Sequence, residues 1–530
     1  MADAHAAAGT AEQPKLIGGA VGLAGLLFQS ITHMAPAAGI IFSVQYMASQ
    51  GGASLGLGFI LATIACTLTA LCLKEVVQKV RSAGGWFVVN MVGLGSTAGF
   101  LTSWLYMLYD PINPAGAELL WGAYVSSFLA KYVGINVPWP IFTILMAVVV
   151  TYLIYLGVRP SIEATIALGV IELGLMVILG VVLIAKAGPN QPLVSLLPTA
   201  SPTSWGGVSF AMVFGILAFL GFESVVPLAE ESHNPRRTLT IAILVSTIAI
   251  GLYYCFGGYF TVAGWAGIHD PNFPNSYIDF SHWDQATDAK KFADDFSGAD
   301  TPFYTLGARA FGAIGPLIVL LLVSNSLFAV AISCSNSCTR IFYALGRAGA
   351  FPRGLGHVNE RTRTPDRAIF LMGAISVIAA LVFGYGLGVD PLTAFGLLGL
   401  LLTVGAIVIY IMANLSVISI YGRLYRDEFN VLNHLIIPIL AVLFMLPPLV
   451  ASLFPRVLDV IGMGFDNQYP VSLGLPITVI WAVIGVGYYL WLRAKRPQAL
   501  RALATEMERV ELVGEEADPR ARAIAPTTEL

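Results

Sequence analysis

Twelve stretches of this chain stay apolar for about 20 residues or more, the length a helix needs to cross the hydrocarbon of a bilayer. They run approximately 18–47, 55–75, 96–126, 139–157, 164–187, 205–228, 239–262, 314–345, 369–388, 392–421, 433–454 and 473–493. Little charge separates them: only 11% of the 530 residues are Asp, Glu, Lys or Arg, less than half the ~25% of an ordinary soluble domain. The pattern predicts an all-α polytopic membrane protein with twelve transmembrane helices. The opening residues, "MADAHAAAGTAEQPK", lack the basic region and apolar core of a signal peptide, so no cleaved leader is expected. All five cysteines, Cys66, Cys72, Cys255, Cys334 and Cys338, fall inside predicted spans without metal-ligand spacing and read as small core residues.

Orientation follows from Lys and Arg, which cytoplasmic loops retain. With both termini inside, the cytoplasmic segments hold 22 of these residues and the other side holds 6: Lys131, Lys186, Lys290, Lys291, Arg309 and Arg456. The asymmetry predicts a multi-pass protein of the cell membrane, embedded in the lipid bilayer with both termini cytoplasmic. A net charge of −3 conceals this polarity, and no basic cluster forms a nucleic-acid surface. The longest soluble insertion, 263–302, is external and carries seven aspartates against two lysines. It reads either as a mouth that concentrates cations or as a plain solvated loop. Residues 1–15 and 496–530 are cytoplasmic tails, the second a short helix followed by disorder.

Two spans carry interruptions. The first is broken at "THMAPAAGI", where Pro36 removes a backbone donor and Gly39 loosens the helix, and the sixth at "FGILAFLGFES", between Gly215 and Gly221. The breaks lie five spans apart, and an odd offset reverses direction. Residues 189–422 would then repeat 16–188 upside down, with 423–495 as two peripheral helices. Transporters of this design place the substrate at the discontinuities near the bilayer midplane. An unwound backbone is tolerated there only if it lines a wet cavity, which Glu223, just past the second break, is placed to face.

Five stretches support a resemblance: "SAGGWF", "GFES", "EESHNPRRT", "SCTRIFYALGRAGAFP" and "HVNERTRTPDRA". In this order within a twelve-span frame the chain, from about Leu16 to Arg493, resembles the amino acid permeases of the amino acid, polyamine and organocation superfamily. The resemblance implies a fold similar to that of the leucine transporter, with a 5+5 inverted repeat and alternating access. It places Met34, Ala35, Ala37, Ala38 and Gly39 around an anionic or polar substrate head, with free N–H groups of a half-helix starting near Ala37 facing the site. It places Leu217, Ala218, Phe219 and Gly221 around the amino group and side chain. This chain departs from the glycine-rich first break with "APAAG". In the fifth helix, where many relatives have a lysine that is a candidate proton carrier, it has Glu172.

Further carboxylates lie in or near spans: Asp110, Glu118 and Glu163, with no Lys or Arg well inside a span to pair with them. Such acids carry protons, bind a cation, or stay neutral and hydrogen-bonded. Glu223, Glu172 and Asp110 are the expected proton-coupling residues, while Glu118 and Glu163 read equally well as interfacial. His33 beside the first break is a second titratable group, or a satisfied neutral one. On the eighth span Ser324, Asn325, Ser326, Ser333, Ser335, Asn336 and Ser337 offer hydroxyls and amides for sodium or for bonds across helices. Asn234 and Pro235 read as an elbow. Neither a metal constellation nor a nucleophile with its base is apparent, so no enzyme activity, metal or cofactor is expected. The expected function is a secondary transporter importing an amino acid or an organic amine or polyamine by proton symport, sodium being a second coupling ion. An exchanger and a cation uptake system of the same fold are the alternatives.

Overall fold

The computed structural model describes residues 22–81, 86–157, 159–226, 235–269, 276–299, 301–347, 351–359, 361–362, 364–496 and 511–512. The elbow at Asn234, most of "EESHNPRRT", Ser82 to Gly85 of "SAGGWF", the side chain of Glu163 and nearly all of both tails lie outside them.

The helices, in chain order, are α1 (Leu23–His33), α2 (Pro36–Gly51), α3 (Leu55–Lys79), α4 (Trp86–Leu94), α5 (Ser96–Tyr109), α6 (Asn113–Phe128), α7 (Trp139–Leu156), α8 (Arg159–Ala187), α9 (Trp205–Phe219), α10 (Pro235–Ala266), α11 (Asp288–Ser297), α12 (Pro302–Phe311), α13 (Gly315–Arg347), α14 (Asp366–Gly386), α15 (Pro391–Arg423), α16 (Ile437–Leu453) and α17 (Gly474–Lys495). A single antiparallel pairing, Val80–Arg81 with Glu511–Leu512, is the only strand contact among the described residues. Among the described residues, ten helical segments are long and apolar enough to cross a membrane, Leu23–Gly51 and Pro302–Tyr343 among them. The two predicted spans that fall short are interrupted ones. Residues 96–126 are divided into α5 and α6 around Asp110, and the helix of 205–228 stops at Phe219.

Lipid-embedded helices gain little from apolar contact with one another, so close approach of small residues supplies the packing. The α3–α9 contact illustrates this: a Cβ on Gly215 would lie 2.9 Å from Cβ of Ala62. The α1/α2 pair, α3, α9 and α10 pack mutually as one bundle, and α5, α6, α7, α13, α14 and α15 as a second group around it. On the periphery, α16 packs on α3, α9 and α15, while α17 touches α5, α15 and α16 and leaves most of its surface outward.

Part of the 263–302 insertion is a folded cap rather than a plain solvated loop. Ala289, Phe292, Ala293 and Phe296 form one buried face of α11. Gln45 of α2 donates from Nε2 to the carbonyls of Ser297 (3.2 Å) and Ala299 (2.9 Å), and Gln285 donates to Ser201 O (2.9 Å). Arg309 is buried beneath it, its guanidinium donating to Gly264 O (2.8 Å), Trp265 O (2.7 Å) and the Ser276 hydroxyl. A charge that orientation arguments place on the surface is thus absorbed by carbonyls, as a desolvated guanidinium requires.

Candidate functional site

The first interruption is two residues long, Met34 and Ala35. After α1, Ala35 adopts a left-handed conformation (φ 47°, ψ 69°) and α2 restarts at Pro36. A non-glycine residue there costs about 1–2 kcal/mol, so its surroundings must hold it. Proline suits the first helical position, where its missing N–H costs nothing. The next N–H groups are all engaged: Ala37 donates to Glu172 Oε1 (2.7 Å), Ala38 to Ser326 Oγ (3.0 Å) and Gly39 to Ala35 O (2.6 Å). Asn325 Nδ2 donates to the second Glu172 oxygen (2.6 Å). The half-helix therefore begins near the expected residue, but its N–H groups are occupied by the protein rather than free.

The second interruption lies at the far end of the stretch between Gly215 and Gly221. Gly215, Leu217, Ala218 and Phe219 remain helical. The chain leaves the helix at Leu220 (ψ 127°) and turns at Gly221, whose φ of +105° favours glycine. A Cβ at Gly221 would sit 1.9 Å from His33 Cδ2, so the two breaks pack directly on each other. They also share donors. The buried Tyr254 hydroxyl on α10 lies 2.7 Å from Met34 O and 2.8 Å from Ala218 O, and the Ser30 hydroxyl donates to Phe222 O (2.9 Å). The break residues Met34, Ala35, Ala37, Ala38, Ala218 and Gly221 thus converge, with Gly39 against Tyr254 and Leu217 against Gly399.

Glu223 is buried just past the second break. Tyr109 at the end of α5 and Tyr410 of α15 donate their hydroxyls to its Oε1 (2.9 and 3.0 Å), and the Gly221 N–H donates to Oε2 (3.2 Å). Three neutral donors stabilise the anion without cancelling its charge. Asp110, fully buried between α5 and α6, accepts from the Tyr106 hydroxyl (2.5 Å) and from Cys338 Sγ (3.0 Å). His33 Nε2 lies 4.0 Å from the other Asp110 oxygen, which has no hydrogen-bond partner, and 3.0 Å from Cys334 Sγ. Its Nδ1 is 2.9 Å from Ser333 Oγ. His33, Tyr106, Tyr109, Glu223, Ser224 and Ser337 line one cavity, so these groups face a shared space.

One possible metal-ligating group occurs among the described residues: His33, Asp110 and Cys334 place one ligand atom each within 4.8 Å of one another. Nitrogen, oxygen and sulfur donors of this kind suit zinc-like ions. Here the His33–Cys334 contact and the Cys338–Asp110 bond already use most of the same atoms. Cys334 and Cys338 are therefore polar partners of the site as well as small core residues.

The remaining sequence candidates divide. Glu118 is buried between α6 and α14, accepting from the Ser376 hydroxyl (3.0 Å). On α13, Ser324 accepts from Trp121 Nε1 (2.9 Å) and Ser333 from Gln29 Nε2 (2.8 Å), which uses these hydroxyls across helices. Sequence reasoning missed Tyr109, Tyr254 and Tyr410, all fully buried. A tyrosine deep in an apolar span must find a partner for its hydroxyl. That rule marks them as polar contributors but not as partners of Glu223 or of the breaks.

A helical membrane protein whose polar site is built at two helix interruptions has the design of a solute carrier. The chain belongs to the amino acid permease family of the amino acid, polyamine and organocation superfamily: the family model "Amino acid permease" matches residues 25–501. It is similar to the branched-chain amino acid permease BcaP of Bacillus subtilis, 24% identical over 62% of this chain and 68% of that protein. It is also similar to the low-affinity putrescine importer PlaP of Escherichia coli, 25% identical over 81% of this chain and 83% of that protein. A third relative is the human cationic amino acid transporter 4, 27% identical over 66% of this chain and 52% of that protein. The protein is accordingly a multi-pass membrane permease and not an enzyme.

Proposed function

We propose that this permease is a proton-coupled symporter of the cell membrane that imports an amino acid or an organic amine by alternating access. The relatives' names span both substrate classes: branched-chain and cationic amino acids, and putrescine. In this reading twelve spans cross the bilayer with both termini cytoplasmic. The inverted repeats are 16–188 and 189–422, and 423–495 supplies the peripheral helices. The substrate docks between the breaks, against Met34, Ala35, Ala37, Ala38 and Gly39 on one side and Leu217, Ala218, Phe219 and Gly221 on the other.

The observation that carries the coupling is the setting of Glu223: a buried carboxylate at a helix break, lining a cavity, stabilised by two tyrosine hydroxyls and one N–H. Among the described residues no lysine or arginine pairs with it. A proton taken up there alters the charge at the junction of both broken helices, which gives loading a means to bias the opening of the site. Asp110, bonded to the cavity-lining Tyr106 and 4.0 Å from His33, is the next protonatable group, and Glu172 a third. Protons are favoured over sodium because Ser324, Ser326 and Ser333 already serve as acceptors between helices.

The test is uptake into proteoliposomes with the membrane potential clamped at zero and an imposed pH gradient. One coupled proton permits about tenfold accumulation per pH unit, since a unit is worth 1.36 kcal/mol, so two units allow about 100-fold. Glu223→Gln should bring the accumulation ratio to about 1 while counterflow exchange persists. Proton-driven accumulation by Glu223→Gln equal to that of the wild type would overturn the assignment.

A further inference from the structure

A carboxylate of the protein sits where a substrate carboxylate would bind. The N-terminus of a helix attracts anions through its unpaired N–H groups and its dipole. In α2 those groups are spoken for. Pro36 has no N–H, Ala37 donates to Glu172 Oε1 at 2.7 Å, Ala38 donates to Ser326 Oγ at 3.0 Å, and Gly39 bonds back to Ala35 O at 2.6 Å. Glu172 is itself buried, 3% exposed, and its other oxygen accepts from Asn325 Nδ2 at 2.6 Å. No N–H of this first turn is left for an external anion.

The opposite polarity is plentiful. The Met34 and Ala218 carbonyls turn toward the junction, where they share the single proton of Tyr254. Glu172 receives hydrogen bonds from neutral donors only, and among the described residues no lysine or arginine forms an ion pair with it. A buried carboxylate so placed, with the Ser326 hydroxyl as a third neutral donor, is oriented but lacks a cation.

Resting on the carrier reading above, we infer that Glu172 is a built-in substitute for the substrate's carboxylate, and that the cargo is an organic ammonium ion lacking an α-carboxylate. The amine meets Glu172 and the break carbonyls. A parent amino acid would bring a second carboxylate against Glu172, with no donors to receive it and with like-charge repulsion. Glu172 is thus a specificity-determining residue as well as an acid of the site.

The experiment uses the full-length protein in proteoliposomes and compares amines with the amino acids from which they derive by decarboxylation: putrescine with ornithine, agmatine with arginine, isoamylamine with leucine. Affinity is read from counterflow and from ligand-induced thermal stabilisation. In at least one pair the wild type should hold the amine at least tenfold more tightly than the acid. Glu172→Ala, which frees the Ala37 N–H, should shift that preference toward the acid. Glu172→Gln preserves the side-chain volume and an acceptor for the Ala37 N–H but removes the charge. It should lose affinity for the amine without gaining affinity for the acid, so the inference remains testable if the alanine variant does not fold. A wild type that binds either class but in no pair holds the amine tenfold more tightly than its parent acid overturns the inference and leaves the carrier reading standing. A response to neither class in every pair sinks both.

Discussion

Among the described residues, Tyr254 is the one side chain whose hydroxyl bonds to the backbone of both helix interruptions, at 2.7 Å from Met34 O and 2.8 Å from Ala218 O. Its hydroxyl has one proton for two acceptors, so Tyr254→Phe removes one shared bond rather than two independent ones. Leaving a buried carbonyl without a donor costs about 1–3 kcal/mol, equivalent to about 5–150-fold in any equilibrium that depends on the junction. Gly39 offers an independent probe of the same contact. A Cβ there would lie 2.5 Å from the Tyr254 hydroxyl oxygen, 2.9 Å from Cζ and 3.0 Å from Cε1. Gly39→Ala therefore overpacks the site, at about 1–3 kcal/mol. Combining the two changes removes the closest clash but not the ring contacts, so Gly39→Ala should cost less in the Tyr254→Phe background, with a coupling of ~0.5 kcal/mol or more. Unfolding of the four proteins in lipid nanodiscs measures the cycle, and uptake rates measure its functional side. If Tyr254→Phe unfolds and transports like the wild type, and the double variant equals the sum of the singles, the hydroxyl does not tie the breaks together.

Gly221→Ala should abolish uptake and lower the melting temperature well beyond Gly215→Ala, because it combines a φ of +105° with a Cβ 1.9 Å from His33, whereas Gly215 lies in a regular helix. Near-normal uptake by Gly221→Ala would mean the second break is not built as described. In the cap formed by part of 263–302, the Ser281 hydroxyl, the His282 ring and the Ser281 N–H hold the Asp279 carboxyl down from 3.8 to about 2. A depressed folded-state pKa contributes stability that is fully present above the ordinary value and is lost as pH falls toward 2. Amide exchange around 279–282, corrected for intrinsic rates, should accelerate from about pH 4 to pH 2 in the wild type and stay level in Asp279→Asn. Equal pH dependence in both would remove Asp279 from the turn.

The span pattern was legible because the lipid imposes it: among the described residues ten of the twelve apolar runs correspond to helices long enough to cross, most ends shifted by a few residues and the start of the 314–345 run moved back to Pro302. The two that fall short carry interruptions, since helix-breaking chemistry is local and visible in sequence. Pro36 located the first break to within a residue. The second lies at the Gly221 end of the expected stretch, which the sequence could not single out because Gly215 and Gly221 look alike in it. Only tertiary contact separates them: Gly215 admits Ala62 into a continuous helix interface, whereas Gly221 turns the backbone against His33. Apart from Tyr106 and the Gly221 N–H, which lie close in sequence to Asp110 and Glu223, the partners of the acids were not legible, because they come from elsewhere in the chain. Tyr410 is 187 residues from Glu223, and Ala37 is 135 from Glu172.

These partners share one property that periodicity and motif could not supply. Glu223 is held by two tyrosines and an N–H, Asp110 by a tyrosine and a cysteine, Glu118 by a serine, and Glu172 by an N–H and an amide. A lysine or arginine in any of these places would fix the charge state, because separating a buried ion pair costs about 3–5 kcal/mol. Neutral donors instead orient the carboxylate and leave its charge to be met by something that arrives and departs. In a carrier that something must be a proton or the cargo. Among the described residues, the absence of ion pairs from Lys or Arg to these four acids is therefore what a carrier requires: acids tied to fixed cations would bind nothing, and acids without donors could not remain ionised inside the bilayer.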